Sequence, residues 1–216
     1  MPLPQLHYIS QGNNPEEHLQ NIQKACTYGA ELVQLRMKNE SEESVLKIAH
    51  EARAITAHFQ TRLIINDYYK IAKEVKADGV HLGQMDEDPA KVREHLGNAF
   101  TIGGTANTLE DCQSLLKKQV DYIGLGPFSF TTTKKNLSPI IPLEEYQRIV
   151  NEINGKVLVI GIGGITLEDA PKILKTGVYG LAVSGEITKD FSKIQHFHRL
   201  LKGSDVQEQV WNAPKN

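Results

Sequence analysis

Cysteine is scarce in this chain: Cys26 and Cys112 are the two present in 216 residues, far apart and outside any CxxC or Cys/His cluster. A disulfide scaffold is excluded, and a reducing, cytoplasmic setting is expected. A basic excess is also missing, since 24 Lys and Arg stand against 26 Asp and Glu, for a formal net charge of −2. That balance argues against a general binder of nucleic acid or anionic membranes. No apolar run approaches the roughly 18–20 residues needed to span a bilayer. The opening Met1-Pro2-Leu3-Pro4-Gln5 has neither the basic nor the apolar stretch of a secretory leader, so none is expected.

What recurs instead is a short apolar run of strand length. Eight are found, at Leu6–Ile9, Leu32–Leu35, Arg62–Ile65, Gly79–Leu82, Phe100–Gly103, Tyr122–Leu125, Val157–Ile160 and Gly180–Val183. Several are β-branched through their middle, as strands buried on both faces are. Helical patterns separate them. Asn14-Pro15 is an N-cap followed by proline, Leu19, Ile22 and Cys26 form an apolar face, and Gly29 is the stop. Ser41 caps a second helix with Val45, Ile48, Ala52, Ile55 and Phe59 on one stripe. Thr108 with Asp111, and Thr166 with Asp169, have capping-box spacing. Leu143–Ile153 and Phe191–Leu201 read as the last helices. The cysteines fall on core-facing helix positions and read as packing. His196 and His198, two apart on a helix, do not share a face.

Strict strand–helix alternation requires crossovers between parallel strands. Eight units in this length predict a single (β/α)₈ barrel over residues 1–202, with 203–216 a polar, loosely ordered tail. A doubly wound dinucleotide fold would want GxGxxG after the first strand, and Ser10-Gln11-Gly12-Asn13 does not supply it.

In such a barrel the active site forms at the C-terminal strand ends, which makes the residues after each run informative. They are Arg36 and Lys38, Asn66 and Asp67, Gln84 and Asp86, Thr105, then Thr131-Thr132-Thr133-Lys134-Lys135, Gly163-Gly164, and Ser184-Gly185. Asp67 and Asp86 leave neighbouring strands and suit one hard cation such as Mg²⁺. Arg36, Lys38 and Lys134 would surround that cation with positive charge, as a metal-bound pyrophosphate requires. Gly163-Gly164 opens backbone N–H groups to a second phosphate. Each residue alone has a plainer reading. Either aspartate can cap a helix, the lysines can be solvated, and the glycines can serve close packing; His81, inside a strand, reads as a hydrogen-bonded core residue rather than a base. Their convergence on one rim points to transfer between two phosphorylated small molecules.

These residues resemble the thiamine-phosphate synthase family. The matches are Val33-Gln34-Leu35-Arg36-Met37-Lys38, Ile64-Ile65-Asn66-Asp67, Ala77-Asp78-Gly79-Val80-His81-Leu82-Gly83-Gln84 with Asp86, and Asp121-Tyr122-Ile123-Gly124-Leu125-Gly126-Pro127. Thr131-Thr132-Thr133-Lys134, Gly161-Ile162-Gly163-Gly164-Ile165 and Ala182-Val183-Ser184 complete a series in family order. The resemblance implies coupling of 4-amino-5-hydroxymethyl-2-methylpyrimidine diphosphate with 4-methyl-5-hydroxyethylthiazole phosphate, giving thiamine phosphate and pyrophosphate. It implies that Gln34, Leu35, Arg36, Met37, Lys38, Asn66, Thr105 and Lys134 contact the pyrimidine diphosphate, with Arg36, Lys134 and Thr105 as the catalytic group. Asp67 and Asp86 would be the Mg²⁺ ligands, and Thr131, Thr133, Gly163, Val183 and Ser184 the thiazole-phosphate site, with Thr132 and Gly164 as further substrate-binding residues.

No covalent nucleophile or strong general base is required, because the aminopyrimidine ring can stabilise a positive methylene carbon and ionisation can precede attack. The chain departs from the family's usual pattern twice. Gly103-Gly104-Thr105 stands for glycine-x-serine, and Phe128-Ser129-Phe130 stands where the loop usually reads Val-Phe-Pro. Two other activities stay open, a thiazole tautomerase on the same barrel and a catalytically silent thiamine-precursor sensor; a homo-oligomer is also open.

Overall fold

The computed structural model describes residues 2–38, 40–130 and 138–203. Its strands are β1 Leu6–Ile9, β2 Leu32–Leu35, β3 Arg62–Asn66, β4 Gly79–Leu82, β5 Thr101–Ala106, β6 Tyr122–Leu125, β7 Leu158–Ile162 and β8 Gly180–Val183. The helices, in chain order, are α1 Pro15–Thr27, α2 Glu42–His58, α3 Tyr69–Glu74, α4 Pro89–Leu96, α5 Leu109–Lys117, α6 Leu143–Ile153, α7 Ala170–Leu174, α8 Gly185–Lys189 and α9 Lys193–Leu201. All strands pair in parallel with their chain neighbours, and β1 closes on β8. The expected (β/α)₈ barrel is therefore the fold. No helix among the described residues is long and apolar enough to cross a membrane.

Three strands run further than their apolar residues indicate, β3 by one residue, to Asn66. β5 continues through Gly103 and Gly104 to Ala106 because both glycines serve close approach. A Cβ on Gly103 would stand 2.1 Å from the Tyr122 ring, and one on Gly104 would stand 2.6 Å from Leu115. β7 extends to Ile162. The caps follow the sequence closely. Asn14 accepts from Glu17 N, Ser41 from Ser44 N, and Thr108 forms a full capping box with Asp111. Thr166 and Asp169 exchange the same kind of bonds, but they close a turn, and α7 begins only at Ala170. The short α8 after β8 has no apolar period to announce it.

Alternation divides the strands between two cores. Tyr8, Val33, Leu35, Ile65, Val80, Ile123 and Val183 face outward into the layer between barrel and helices. Leu32, Ile64, Tyr122, Ile160 and Ala182 fill the interior, where Leu3 joins them. The N-terminal strand ends are pinned by a repeated clamp. Before β4, the Asp78 carboxylate accepts from Leu63 N at 2.8 Å and from Arg53 Nη1 at 2.7 Å. Before β6, the Asp121 carboxylate accepts from Ile102 N at 2.6 Å and from Arg93 Nη2 at 2.7 Å.

Candidate active site

The inward rows of β2, β3 and β4 lead out of the barrel into Arg36, Lys38, Asp67 and Asp86. Ser10 fixes the exit of β2: its Oγ accepts from Arg36 N at 3.1 Å and lies 2.8 Å from His18 Nδ1. Asp67 has left-handed backbone, φ 66°, and its N–H donates to His81 O at 2.9 Å. Neither aspartate caps a helix. The residue before α3 makes no side-chain cap bond, and Asp88 rather than Asp86 caps α4. Asp86 instead accepts from Gly83 N at 2.6 Å.

The two carboxyl groups are hydrogen-bonded to each other, and the Lys38 ammonium pairs with Asp67. Burial and the shared proton push Asp67 up to about 6. Burial also opposes ionisation of Asp86, but the bonds from Asp67 and Gly83 N together with the Lys38 charge outweigh it, so Asp86 is held below the usual carboxylate range. The two carboxyls thus compete for one proton below about pH 6, at a place where a hard cation would replace it. Among the described residues no cluster of three or more acidic, His or Cys side chains accompanies the pair. Two adjacent carboxylates are a donor set that fits Mg²⁺, which is rarely enclosed by protein ligands alone. Arg36 is drawn by both carboxylates, while burial lowers its own pKa.

A cavity of about 620 Å³ opens at the C-terminal ends of β1, β2 and β5 to β8; Arg36 lines it, whereas Lys38, Asp67 and Asp86 do not. Its lining includes Arg36, Thr105, Gly163, Gly164, Ser184 and Gly185. Gly163 and Gly164 have φ of 90° and 69°, conformations that glycine adopts without strain. The loop after β6 is tied to this wall, because Ser129 N donates to Gly163 O at 2.9 Å and Phe128 N to Ile162 O at 3.0 Å. Phe128 packs edge-on against Tyr146 at 6.1 Å between ring centres, and Phe130 lines the cavity while largely exposed. Ser184 Oγ is buried and has no hydrogen-bond partner among the described residues. A buried hydroxyl without a partner is costly unless a ligand completes it.

Inside the barrel, Gln34 and Asn66 are buried on the inward rows. Thr105 Oγ1 lies 2.9 Å from His81 Nε2, and His81 Nδ1 lies 3.0 Å from the Tyr122 hydroxyl. Burial pushes the Tyr122 phenol well above its usual pKa. Leu35, Met37 and Val183 belong to the outer apolar layer, so only their backbone groups are directed elsewhere. Thr131, Thr132, Thr133 and Lys134 lie outside the described residues, as does the tail beyond Gly203. Sequence reasoning missed Gln11, Gly12 and Asn13, which line the cavity with Glu17 and Asn21 of α1. The rule that flags residues after a strand applies to β1 as well, and it would have found them. It also missed Asn107, whose Oδ1 accepts from Ser138 at 2.9 Å, and Glu186 and Lys189 on the unannounced α8.

The sequence model of the thiamine monophosphate synthase family matches residues 6–187. The chain belongs to this family. Thiamine-phosphate synthase of Flavobacterium psychrophilum is 43% identical over 200 residues, covering 91% of this chain and 97% of that protein. Its counterpart from Bacteroides fragilis is 41% identical over 199 residues, covering 91% and 98%. Among solved structures, thiamine phosphate pyrophosphorylase from Pyrococcus furiosus superposes with a TM-score of 0.79 at 27% identity, covering 92% of this chain and 97% of that one.

Proposed function

We propose that this chain condenses 4-amino-5-hydroxymethyl-2-methylpyrimidine diphosphate with 4-methyl-5-hydroxyethylthiazole phosphate, forming thiamine phosphate and releasing pyrophosphate. The observation that carries this reading is the buried Ser184 Oγ, without a partner among the described residues, on a cavity that Arg36, Gly163 and Gly164 also line. We assign the arginine end to the diphosphate donor and the Ser184 and glycine end to the monophosphate acceptor.

Asp67 and Asp86 are the pair that would hold Mg²⁺. The ion would neutralise charge on the departing diphosphate. Arg36 and Lys38 surround the same oxygens, and Lys134, outside the described residues, is assigned to the leaving group with them. Thr105 lines the same cavity and is assigned to the diphosphate. Gln34 and Asn66 are assigned to the pyrimidine, and Leu35 and Met37 would act through backbone groups. Ser184, Gly163 and Gly164 hold the thiazole phosphate, with Val183 through its backbone and Thr131, Thr132 and Thr133 from the loop.

The protein's work is then alignment and charge stabilisation: the thiazole nitrogen is held in line with the methylene carbon while the leaving oxygens are matched by cations. Two buried free thiols, Cys26 and Cys112, suit a reducing cytoplasm. The test is an assay of the purified chain with both substrates and Mg²⁺, following thiamine phosphate and pyrophosphate together in equal amounts. Thiazole isomerisation without coupling would replace this reading with a tautomerase. Tight binding of both compounds without turnover would replace it with a sensor.

A further inference from the structure

The interior of this barrel is unusually polar for a layer normally filled by branched apolar side chains. Tyr122 is 2% exposed, and its ring lies nearly parallel to that of His81, 26° apart, with the hydroxyl 3.0 Å from Nδ1. The other ring nitrogen of His81 is 2.9 Å from Thr105 Oγ1. Two glycines clear the space. A Cβ on Gly103 would overlap the Tyr122 ring, and one on Gly124 would approach His81 Cε1 to 3.1 Å. Gly103 is the register partner of both His81 and Tyr122, and Gly124 is that of Thr105, so the row is set by strand pairing.

Such a row can be polarised in two directions. In one, the phenol donates to His81 Nδ1, Nε2–H donates to Thr105, and the threonine hydrogen is left to point into the cavity. In the other, Nδ1–H donates to the phenol oxygen and Thr105 donates to Nε2. The second arrangement leaves the buried Tyr122 hydrogen without an acceptor, since His81 is its one hydrogen-bond partner among the described residues. A stranded donor of this kind costs about 1–3 kcal/mol. The first arrangement strands nothing once an anion accepts from Thr105.

We infer that Tyr122 and His81 are positioning residues that fix the Thr105 hydroxyl as a hydrogen-bond donor into the cavity. His81 is thereby held as the Nε2–H tautomer, and Thr105 offers a hydrogen to the phosphate oxygens that gain charge as the diphosphate leaves. This rests on the coupling reaction proposed above for its kinetic consequence, but the tautomer follows from the fold alone.

Nitrogen-15 NMR of the full chain labelled at histidine, with His81 assigned by its loss in His81→Gln, reads the tautomer directly. Nε2 should be protonated and Nδ1 should show an acceptor's shift; the reverse pattern overturns the inference whether or not the chain turns over. Steady-state kinetics supply the second arm. Thr105→Val should lower kcat about 100-fold, Thr105→Ser should retain most of it, and Tyr122→Phe should lower it about tenfold. Added to Thr105→Val, Tyr122→Phe should cost nothing more, because its effect passes through the hydroxyl already removed. Multiplicative losses in the double variant would show that Tyr122 only supports the fold, and would overturn the assignment. A wild-type chain that does not couple the two substrates would sink the reaction reading, and the histidine spectrum would still decide this one.

Discussion

Gly163 rests on Pro127: a Cβ built on Gly163 would stand 2.8 Å from both Cα and Cβ of the proline. The loop that follows β6 is thereby seated on the end of β7 with no space for a side chain between them. Because Gly163 also has φ of 90°, any larger residue meets a clash and a backbone penalty together. Gly163→Ala should destabilise the protein by roughly 1–3 kcal/mol, seen as a lower urea midpoint at unchanged m-value. A midpoint equal to wild type would show that the loop lifts away freely. Added bulk at Gly163 therefore acts on the fold before it acts on a phosphate.

Ser184 is the cleaner probe of the second anion position. Its buried Oγ has no partner to lose, so Ser184→Ala should leave the unliganded protein as stable as wild type or slightly more so. The same variant should raise KM for the thiazole phosphate about tenfold and leave KM for the pyrimidine diphosphate unchanged. A rise confined to the diphosphate would exchange the two anion positions.

The barrel was readable because burial on both faces leaves an unbroken apolar run. Leu32–Leu35 and Gly180–Val183 match their strands residue for residue. Where small residues replace bulk, the signal fades: Gly103 and Gly104 look like a strand's end, yet they let Tyr122 and Leu115 approach. Asp67, Asp86, Arg36 and Lys38 were legible from one positional rule, because side chains after a parallel strand must meet at the same rim. Leu35, Met37 and Val183 show the limit of transferring a motif whole, since alternation turns their side chains outward. The Tyr122–His81–Thr105 row was illegible for another reason. It depends on ring orientations across three strands, which no spacing within one strand encodes.

Metal binding should be linked to pH through Asp67. Its carboxyl, pushed up to about 6, is protonated in the metal-free protein below that value, and Mg²⁺ must displace the proton. Apparent Mg²⁺ affinity should therefore weaken as pH falls from 7.5 through 6 to 5, with proton uptake or release visible when calorimetry is repeated in buffers of different ionisation enthalpy. Affinity independent of pH would mean that Asp67 is not a ligand. Asp67→Asn and Asp86→Asn should each lower turnover about 100-fold or more, and the double variant should lose much less than the product of the two. Wild-type rates in EDTA-treated buffer would remove the metal from the reaction.

His7 should set part of the acid limit of stability. It is fully enclosed, donates to Pro4 O at 3.0 Å, and burial lowers its pKa to about 3 from the 6.5 of a free histidine. Between those values the unfolded chain binds a proton that the folded chain refuses, so stability falls as pH drops from 6.5 toward 3 and levels off below. The loss amounts to roughly 3–5 kcal/mol, and His7→Gln should abolish that share of the slope in urea titrations across this range. Parallel pH profiles for the variant and wild type would show that His7 stays neutral in both states or charged in both.

The paired clamps at the opposite end of the barrel bear on how far the rim can change. Asp78 and Asp121 each lock the seam to the preceding strand with a backbone bond and an arginine, at the barrel face opposite the rim that carries Arg36, Asp67 and Asp86. Alignment of β3 with β4 and of β5 with β6 is thus secured without reference to what stands at their other ends. Substitutions among the rim residues can alter chemistry without shifting strand against strand, which gives this scaffold latitude to acquire new substrates while its architecture is inherited intact.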